Sequence, residues 1–100
     1  MNKDQILEKI NEWNNGKFGL NFTNLKSDQS SGEDNISFQI KLYYGTYFIS
    51  AHKEYLGCVA VSNHKLPGET AHRGNDLHDG RFNKTNWNKI LADIVSFENN

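Results

Sequence analysis

The sequence predicts an α+β domain in which a helix lies at each end of the chain and antiparallel strands lie between them. Three observations support this class. Apolar residues recur at helical spacing near both termini, they alternate along the middle, and there is no repeat or βαβ alternation. A length of 100 residues suits one domain, so we expect residues 1–100 to form a single unit. The expected order is α-β-β-β(-β)-α, with both helices on one face of the sheet.

The first helix is predicted just after the N-terminus. Asn2 can cap it, and Gln5 stands three residues later, as in a capping box. Ile6, Ile10 and Trp13 follow at positions i, i+4 and i+7, which is the spacing of one buried helix face. Residues 14–16 read Asn-Asn-Gly, and the glycine suits the left-handed backbone that often ends a helix.

Strands are predicted in four segments. Apolar and polar residues alternate over residues 18–22 and, most regularly, over residues 36–42. Gly45-Thr46 indicates a tight hairpin that leads into a strand over residues 47–52. After a short polar turn, residues 56–62 are expected to form a strand buried on nearly all sides. One apolar face on the most regular strand indicates a half-buried sheet.

The second helix is predicted near the C-terminus, where Asn83 can act as its N-cap. Its apolar residues follow helical spacing and form one stripe, which comprises Trp87, Ile90, Leu91, Ile94 and Phe97. One stripe per helix is consistent with both helices covering the same apolar face.

Residues 63–83 are predicted to form one long, ordered polar loop. Structureless connections longer than about 12–15 residues are uncommon in compact domains and are usually functional or disordered. Leu66, Leu77 and Phe82 can anchor this loop, and several Gly-containing turn signals divide it. The loop holds three of the four histidines of the chain. We therefore expect its polar side chains to point in fixed directions.

The candidate site residues all come from this loop. The predicted binding residues are Arg73, Asn75, Asp76, His78, Asp79 and Arg81. Candidates for acid–base chemistry are His72, His78 and Asp76, because a carboxylate beside an imidazole can orient it and tune its pKa. No catalytic residue, metal site or cofactor is assigned.

Three other interpretations of the loop stay open. Arg73 and Arg81 could hold a phosphate or carboxylate bidentately, helped by the start of the following helix. The histidines and aspartates are suitable metal ligands, but their spacing matches no strong metal signature. Alternatively, Asn75, Asp76 and Asp79 could cap turns through side-chain-to-backbone hydrogen bonds.

The net charge and the cysteine content limit the partners, the disulfides and the cellular compartment that we expect. A formal net charge of −1 gives no basic excess, so a nucleic-acid partner is not expected. Cys58 is the only cysteine, so no disulfide can form within the chain, and its apolar neighbours indicate a buried thiol. No segment reads as a signal peptide or a membrane span, and we expect a cytoplasmic protein with no membrane association.

The C-terminal half carries one resemblance. The segment Arg73-Gly74-Asn75-Asp76-Leu77, together with Asp79-Gly80 and the helix that contains Trp87, resembles small uncharacterised bacterial proteins with the same pattern. The stretch Tyr55-Leu56-Gly57-Cys58 adds to this likeness. The resemblance implies that the loop is a unit and implies no activity.

Three functions follow from these observations. The leading hypothesis is a non-catalytic binding module whose loop presents its polar side chains to a protein partner or a small anionic ligand. The second is a small hydrolase that uses His and Asp of the same loop, with or without a metal. The third is an RNA- or saccharide-binding sheet lined by tyrosines, which are Tyr43, Tyr44, Tyr47 and Tyr55.

Overall fold

The computed structural model describes residues 2–16, 35–64 and 74–99. In chain order its elements are α1 (Lys3–Asn14), β1 (Ile36–Lys41), β2 (Gly45–His52), β3 (Tyr55–Ser62), β4 (Gly74–Gly80) and α2 (Lys84–Glu98). The four strands form one sheet in the order β1-β2-β3-β4, and each neighbouring pair is antiparallel. The predicted α+β class and the element order are confirmed.

Both helices begin where the sequence indicates. Asn2 and Gln5 form a complete capping box at α1, with hydrogen bonds of 2.9 and 3.0 Å between side chain and backbone. Asn83 caps α2 by accepting the backbone N–H of Asn86 at 2.8 Å. At the end of α1, Asn15 and Gly16 both adopt positive φ angles, of 49° and 74°. Neither described helix is long and apolar enough to cross a membrane.

The core forms between the helices and alternate residues of the strands. Ile36, Phe38 and Ile40 of β1 are buried, as the alternation predicts. Buried residues of β2 and β3 lie opposite them in the register and belong to the same cluster; these are Tyr47, Ile49, Ala51, Leu56, Cys58 and Ala60. The helices contribute Ile6 and Ile10 from α1, and Trp87, Ile90, Leu91 and Ile94 from α2. We call the sheet surface opposite this core the outer face. One buried cluster thus contains residues of the sheet and of both helices.

Two predictions about strands need correction. Residues 56–62 are not buried throughout, because Val59 is 36% exposed on the outer face and the last two residues of β3 are half-buried, although Leu56, Gly57, Cys58 and Ala60 are buried. Residues 74–80 are not part of a loop, because they form β4 and pair with β3. Pairing with a neighbouring strand outweighs the low strand propensity of Gly, Asn and Asp here. The predicted strand over residues 18–22 lies outside the described residues, as do residues 65–73 of the predicted loop.

Candidate functional site

Strand β4 carries most of the predicted site residues, and a bulge interrupts its pairing with β3. Cys58 pairs with His78, but the next residue of β3, Val59, pairs with Asp76, so Leu77 is the extra residue. Leu77 packs against the core cluster. The bulge thereby replaces the simple alternation of faces that an uninterrupted strand would show.

The bulge and register place the predicted residues on different faces of the sheet. His78 lies opposite buried Cys58 and Asn75 lies opposite buried Ala60, so both are on the core side. Asp79 lies opposite Gly57 on the outer face, as does Asp76 opposite Val59. His78 therefore lies on the opposite face of the sheet from both aspartates. His72 lies outside the described residues.

The predicted binding residues that the structure describes are spread along β4 and the segment that follows it. From Asn75 to Gly80 an extended chain covers roughly 17 Å. The turn-capping role suggested for Asn75, Asp76 and Asp79 is wrong, because these residues lie within a strand. Arg73 lies outside the described residues. Arg81, which follows β4 directly, lines a cleft.

His78 occupies a tight position between β4 and the start of α2. Its Nε2 atom is buried and has no hydrogen-bond partner. A Cβ added at Gly80 would lie 3.0 Å from this atom and 2.9 Å from Nδ2 of Asn86. A larger residue at position 80 would therefore require one of these two side chains to shift. Among the described residues, no three His, Cys, Asp or Glu side chains are arranged to hold a metal ion.

A cleft lies at one end of the sheet, where the β2–β3 turn meets the segment between β4 and α2. Its volume is about 650 Å³, and its described lining consists of Lys53, Glu54, Arg81, Phe82 and Asn83. We call it the Arg81 cleft. Antiparallel pairing explains this meeting, because β3 starts beside the end of β4. Lys53 and Glu54 were not predicted as site residues, because their only signal in the sequence is a short polar turn between two strands.

Packing and a hydrogen bond fix two parts of the Arg81 cleft, its apolar wall and the backbone at the start of α2. The ring of Phe82 packs against Trp13 of α1 with a centroid distance of 4.8 Å. Asn86 donates a hydrogen bond from its side chain to the carbonyl of Arg81 at 2.8 Å. The backbone that carries the Arg81 guanidinium is therefore joined to the first turn of α2.

The charged groups of the cleft are free of ion pairs. In the described part of the chain, the ion pair that forms is Lys9–Glu12 on α1, at 4.0 Å. Lys53, Glu54 and Arg81 are exposed and take part in none. The first turn of α2 contains no acidic residue, although such a residue is favourable at the positive end of a helix dipole. The cleft thus presents two uncompensated cations and one carboxylate.

The tyrosines do not share one surface. Tyr47 is fully buried, and Tyr55 lies near the Arg81 cleft at the start of β3. Tyr43 and Tyr44 lie between β1 and β2, at the opposite end of the sheet, where they are 72% and 41% exposed. The tyrosine-lined sheet is therefore not assembled. Burial, followed by the charges of Asp79 and Asp76, raises the pKa of Tyr55.

Tyr43 and Tyr44 form an aromatic cluster with His64 instead. The two tyrosine rings meet edge to face at 4.7 Å, and the His64 ring lies 5.3 and 5.4 Å from them. The side chain of Asn63 holds the loop that carries them, because its Nδ2 donates to the carbonyls of Leu42 at 2.8 Å and Tyr43 at 3.3 Å. Tyr43 and Tyr44 lie on the β1–β2 loop, whereas His64 follows β3 and is the residue after Asn63.

Cys58 behaves as the sequence predicts. It is 1% exposed, and burial, with the charge of Asp93 as the second cause, raises the pKa of its thiol to about 12. A thiol with that pKa is a poor nucleophile at neutral pH.

No protein-family model matches the sequence, and no significant similarity to a curated protein or a solved structure was found. The site must therefore be interpreted from its own residues and geometry.

Proposed function

We propose that this protein is a non-catalytic binding module that holds a small anionic ligand in the Arg81 cleft. One observation carries the proposal: an exposed arginine without an ion pair lines a cleft of about 650 Å³, beside the start of a helix. Guanidinium groups bind carboxylates and phosphates through two parallel hydrogen bonds. The cytoplasmic location expected from the sequence, and the bacterial origin implied by its resemblance, belong to this proposal.

The remaining groups of the cleft suit an anion. Lys53 supplies a second cation from the β2–β3 turn. The first backbone N–H groups of α2 lack partners within the helix and favour negative charge nearby. Glu54 opposes the anion, but the two cations outnumber it. Net attraction for a small anion is the result.

The proposal is tested by calorimetry at low ionic strength with inorganic phosphate, citrate and a nucleoside monophosphate as probes. At least one probe is expected to bind the wild type. Arg81→Ala should weaken that binding about 10- to 100-fold, because a hydrogen bond to a charged group contributes about 1.5–3 kcal/mol. Lys89→Ala removes the same charge from α2 outside the cleft and serves as the matched control.

Three results would separate the possibilities. Equal losses in Arg81→Ala and Lys89→Ala would show that only net charge attracts the probes. Weak binding that disappears at 0.15 M salt in every variant would show the same, since screening removes attraction between exposed charges. Failure of all probes to bind the wild type would overturn the proposal.

A second candidate function is binding of a protein partner through the cluster of Tyr43, Tyr44 and His64. Rigid, exposed tyrosines are frequent at protein interfaces because a large contact area is gained with little loss of conformational entropy. A photo-crosslinking residue at position 43 should capture a defined partner in cells, and the same residue at Gln39 on the outer face should not. Identical products from both positions would contradict this function.

A further inference from the structure

A second, smaller cleft lies near the β2–β3 turn, on the side of β1. Its volume is about 270 Å³, and its polar lining in the described part of the chain comes from Asn35, Ser37, Ser50, His52 and Tyr55. Pockets for drug-sized ligands measure about 300–1,000 Å³, so this cleft suits a single ring. It is separate from the Arg81 cleft, with which it shares none of these residues.

Two stacked rings form one wall of this cleft. His52 and Tyr55 are directly opposite each other in the β2–β3 register, with ring centroids 5.6 Å apart and planes inclined by 28°. Gly57 leaves space for the Tyr55 ring, because a Cβ at that position would overlap the Tyr55 hydroxyl. The stack is therefore supported by the sheet beneath it. Stacked rings of this kind offer a flat apolar surface.

The imidazole of His52 has a defined polar edge. Its Nδ1 accepts a hydrogen bond from the backbone N–H of Glu54 at 3.1 Å. A neutral imidazole that accepts at Nδ1 carries its proton on Nε2, so Nε2 is the donor. His52 thus combines a ring face with one hydrogen-bond donor of fixed position.

Neutral hydrogen-bonding groups complete the lining. Ser37 and Ser50 are directly opposite each other in the β1–β2 register and share the outer face. Their hydroxyl groups can each donate and accept, and the amide of Asn35 can do both as well. No charged side chain contributes to the described lining. The groups suit a ligand with several hydroxyl groups and no charge.

We propose that this cleft binds one ring of a neutral saccharide. A pyranose has an apolar face of C–H groups, which suits the His52–Tyr55 wall, and hydroxyl groups around its edge, which suit the serines and Asn35. An anionic ligand would find no cation in the described lining, in contrast to the Arg81 cleft. Tyr55 is the one tyrosine of the predicted saccharide-binding set that takes part.

The test uses saturation-transfer NMR with the methyl glycosides of glucose, galactose, mannose and N-acetylglucosamine. At least one glycoside should bind with a dissociation constant on the order of millimolar, given its size. In a separate titration followed by protein NMR, the backbone amide signals that shift on binding should belong mainly to residues 35–37 and 50–55. Ser50→Ala and His52→Phe should each weaken binding about three- to tenfold, because each removes one neutral hydrogen bond. His52→Phe keeps a ring in the stack, so weaker binding by this variant would be due to the missing Nε2 donor.

Gln39→Ala is the matched control, since Gln39 is exposed on β1 two residues beyond Ser37 and does not line the cleft. Its affinity for the glycoside should equal that of the wild type. The proposal is overturned if no glycoside receives saturation from the protein. Binding that survives both Ser50→Ala and His52→Phe would also overturn it, as would preferential binding of planar aromatic probes such as indole.

Discussion

Glu98, the last residue of α2, accepts a hydrogen bond from the buried hydroxyl of Tyr47 on β2. The second oxygen of the same carboxylate accepts the backbone N–H of Tyr44 at 3.2 Å. One side chain thereby joins the end of the helix to the β1–β2 loop. Burial raises the pKa of Tyr47, and the bond to Glu98 and its charge raise it further.

Tyr47→Phe tests the contribution of this contact to stability. The substitution keeps the ring in the core but leaves Glu98 without one of its two partners. The free energy of unfolding should fall by about 1.5–3 kcal/mol, as expected for a hydrogen bond to a charged group. Urea unfolding monitored by circular dichroism gives the value. Tyr43→Phe removes an exposed hydroxyl and should change stability by less than about 0.5 kcal/mol, so equal losses would contradict the prediction.

Asn63→Asp tests whether the aromatic cluster depends on a fixed loop. The amide of Asn63 donates to two carbonyls, and its oxygen accepts from the hydroxyl of Thr46 at 2.9 Å. A carboxylate would place oxygen against the carbonyls of Leu42 and Tyr43. We expect faster hydrogen exchange at the Tyr44 amide and a loss of about 1–2 kcal/mol. Unchanged exchange at Tyr44 would show that the backbone bond from Asn63 to Tyr44, 2.7 Å long, is sufficient.

Cys58 gives the protein a pH-dependent stability at alkaline pH. The ordinary thiol pKa of 9.0 is raised to about 12 in the folded state. Below pH 9 both states keep the proton. Between pH 9 and 12 the unfolded thiol ionises and the folded one does not, so the folded state binds more protons and stability falls as pH rises. The slope due to Cys58 is at most about 1.4 kcal/mol per pH unit.

The measurement compares urea unfolding of the wild type and Cys58→Ala from pH 8 to 11. The two curves should run parallel below pH 9 and converge above it, because the variant lacks the titrating thiol. Curves that stay parallel over the whole range would show that burial does not shift the Cys58 pKa.

Local patterns were sufficient for most of the fold. The alternation of Ile36, Phe38 and Ile40 identifies β1, and the capping residues Asn2 and Asn83 locate the starts of both helices. Strand β4 could not be predicted, since its residues are poor strand formers and the bulge at Leu77 removes the period of two. A strand of this kind is stabilised by its neighbour and not by its own sequence.

The candidate site was harder to predict because its parts are distant in sequence. Arg81 was among the predicted binding residues, but Lys53 is 28 positions earlier in the sequence and meets it only through the β3–β4 pairing. The adjacency of His78 and Asp79 was misleading, because adjacent residues of a strand point to opposite faces. Without β4 in the prediction, neither fact was accessible.

Gly80→Ala tests the packing at the junction of β4 and α2. The new methyl group would approach Nδ2 of Asn86 to 2.9 Å and Nε2 of His78 to 3.0 Å. We expect the Asn86 side chain to shift and its bond to the carbonyl of Arg81 to weaken, which would loosen the start of α2 and the Arg81 cleft. Overpacking of this kind costs about 1–3 kcal/mol. Weaker anion binding should accompany the loss of stability.

Gly74→Ala is the matched control on the same strand, since its Cβ would lie 3.8 Å from the nearest atom, Cγ1 of Val59. Neither glycine has a positive φ angle, so alanine adds no backbone strain at either position. Gly74→Ala should be neutral or stabilise the protein by up to about 1 kcal/mol, through reduced entropy of the unfolded chain. Adding Asn86→Ala to Gly80→Ala should relieve part of the overlap and make the combined loss smaller than the sum of the single losses. Equal stability of the two glycine variants would show that His78 and Asn86 can move aside without cost.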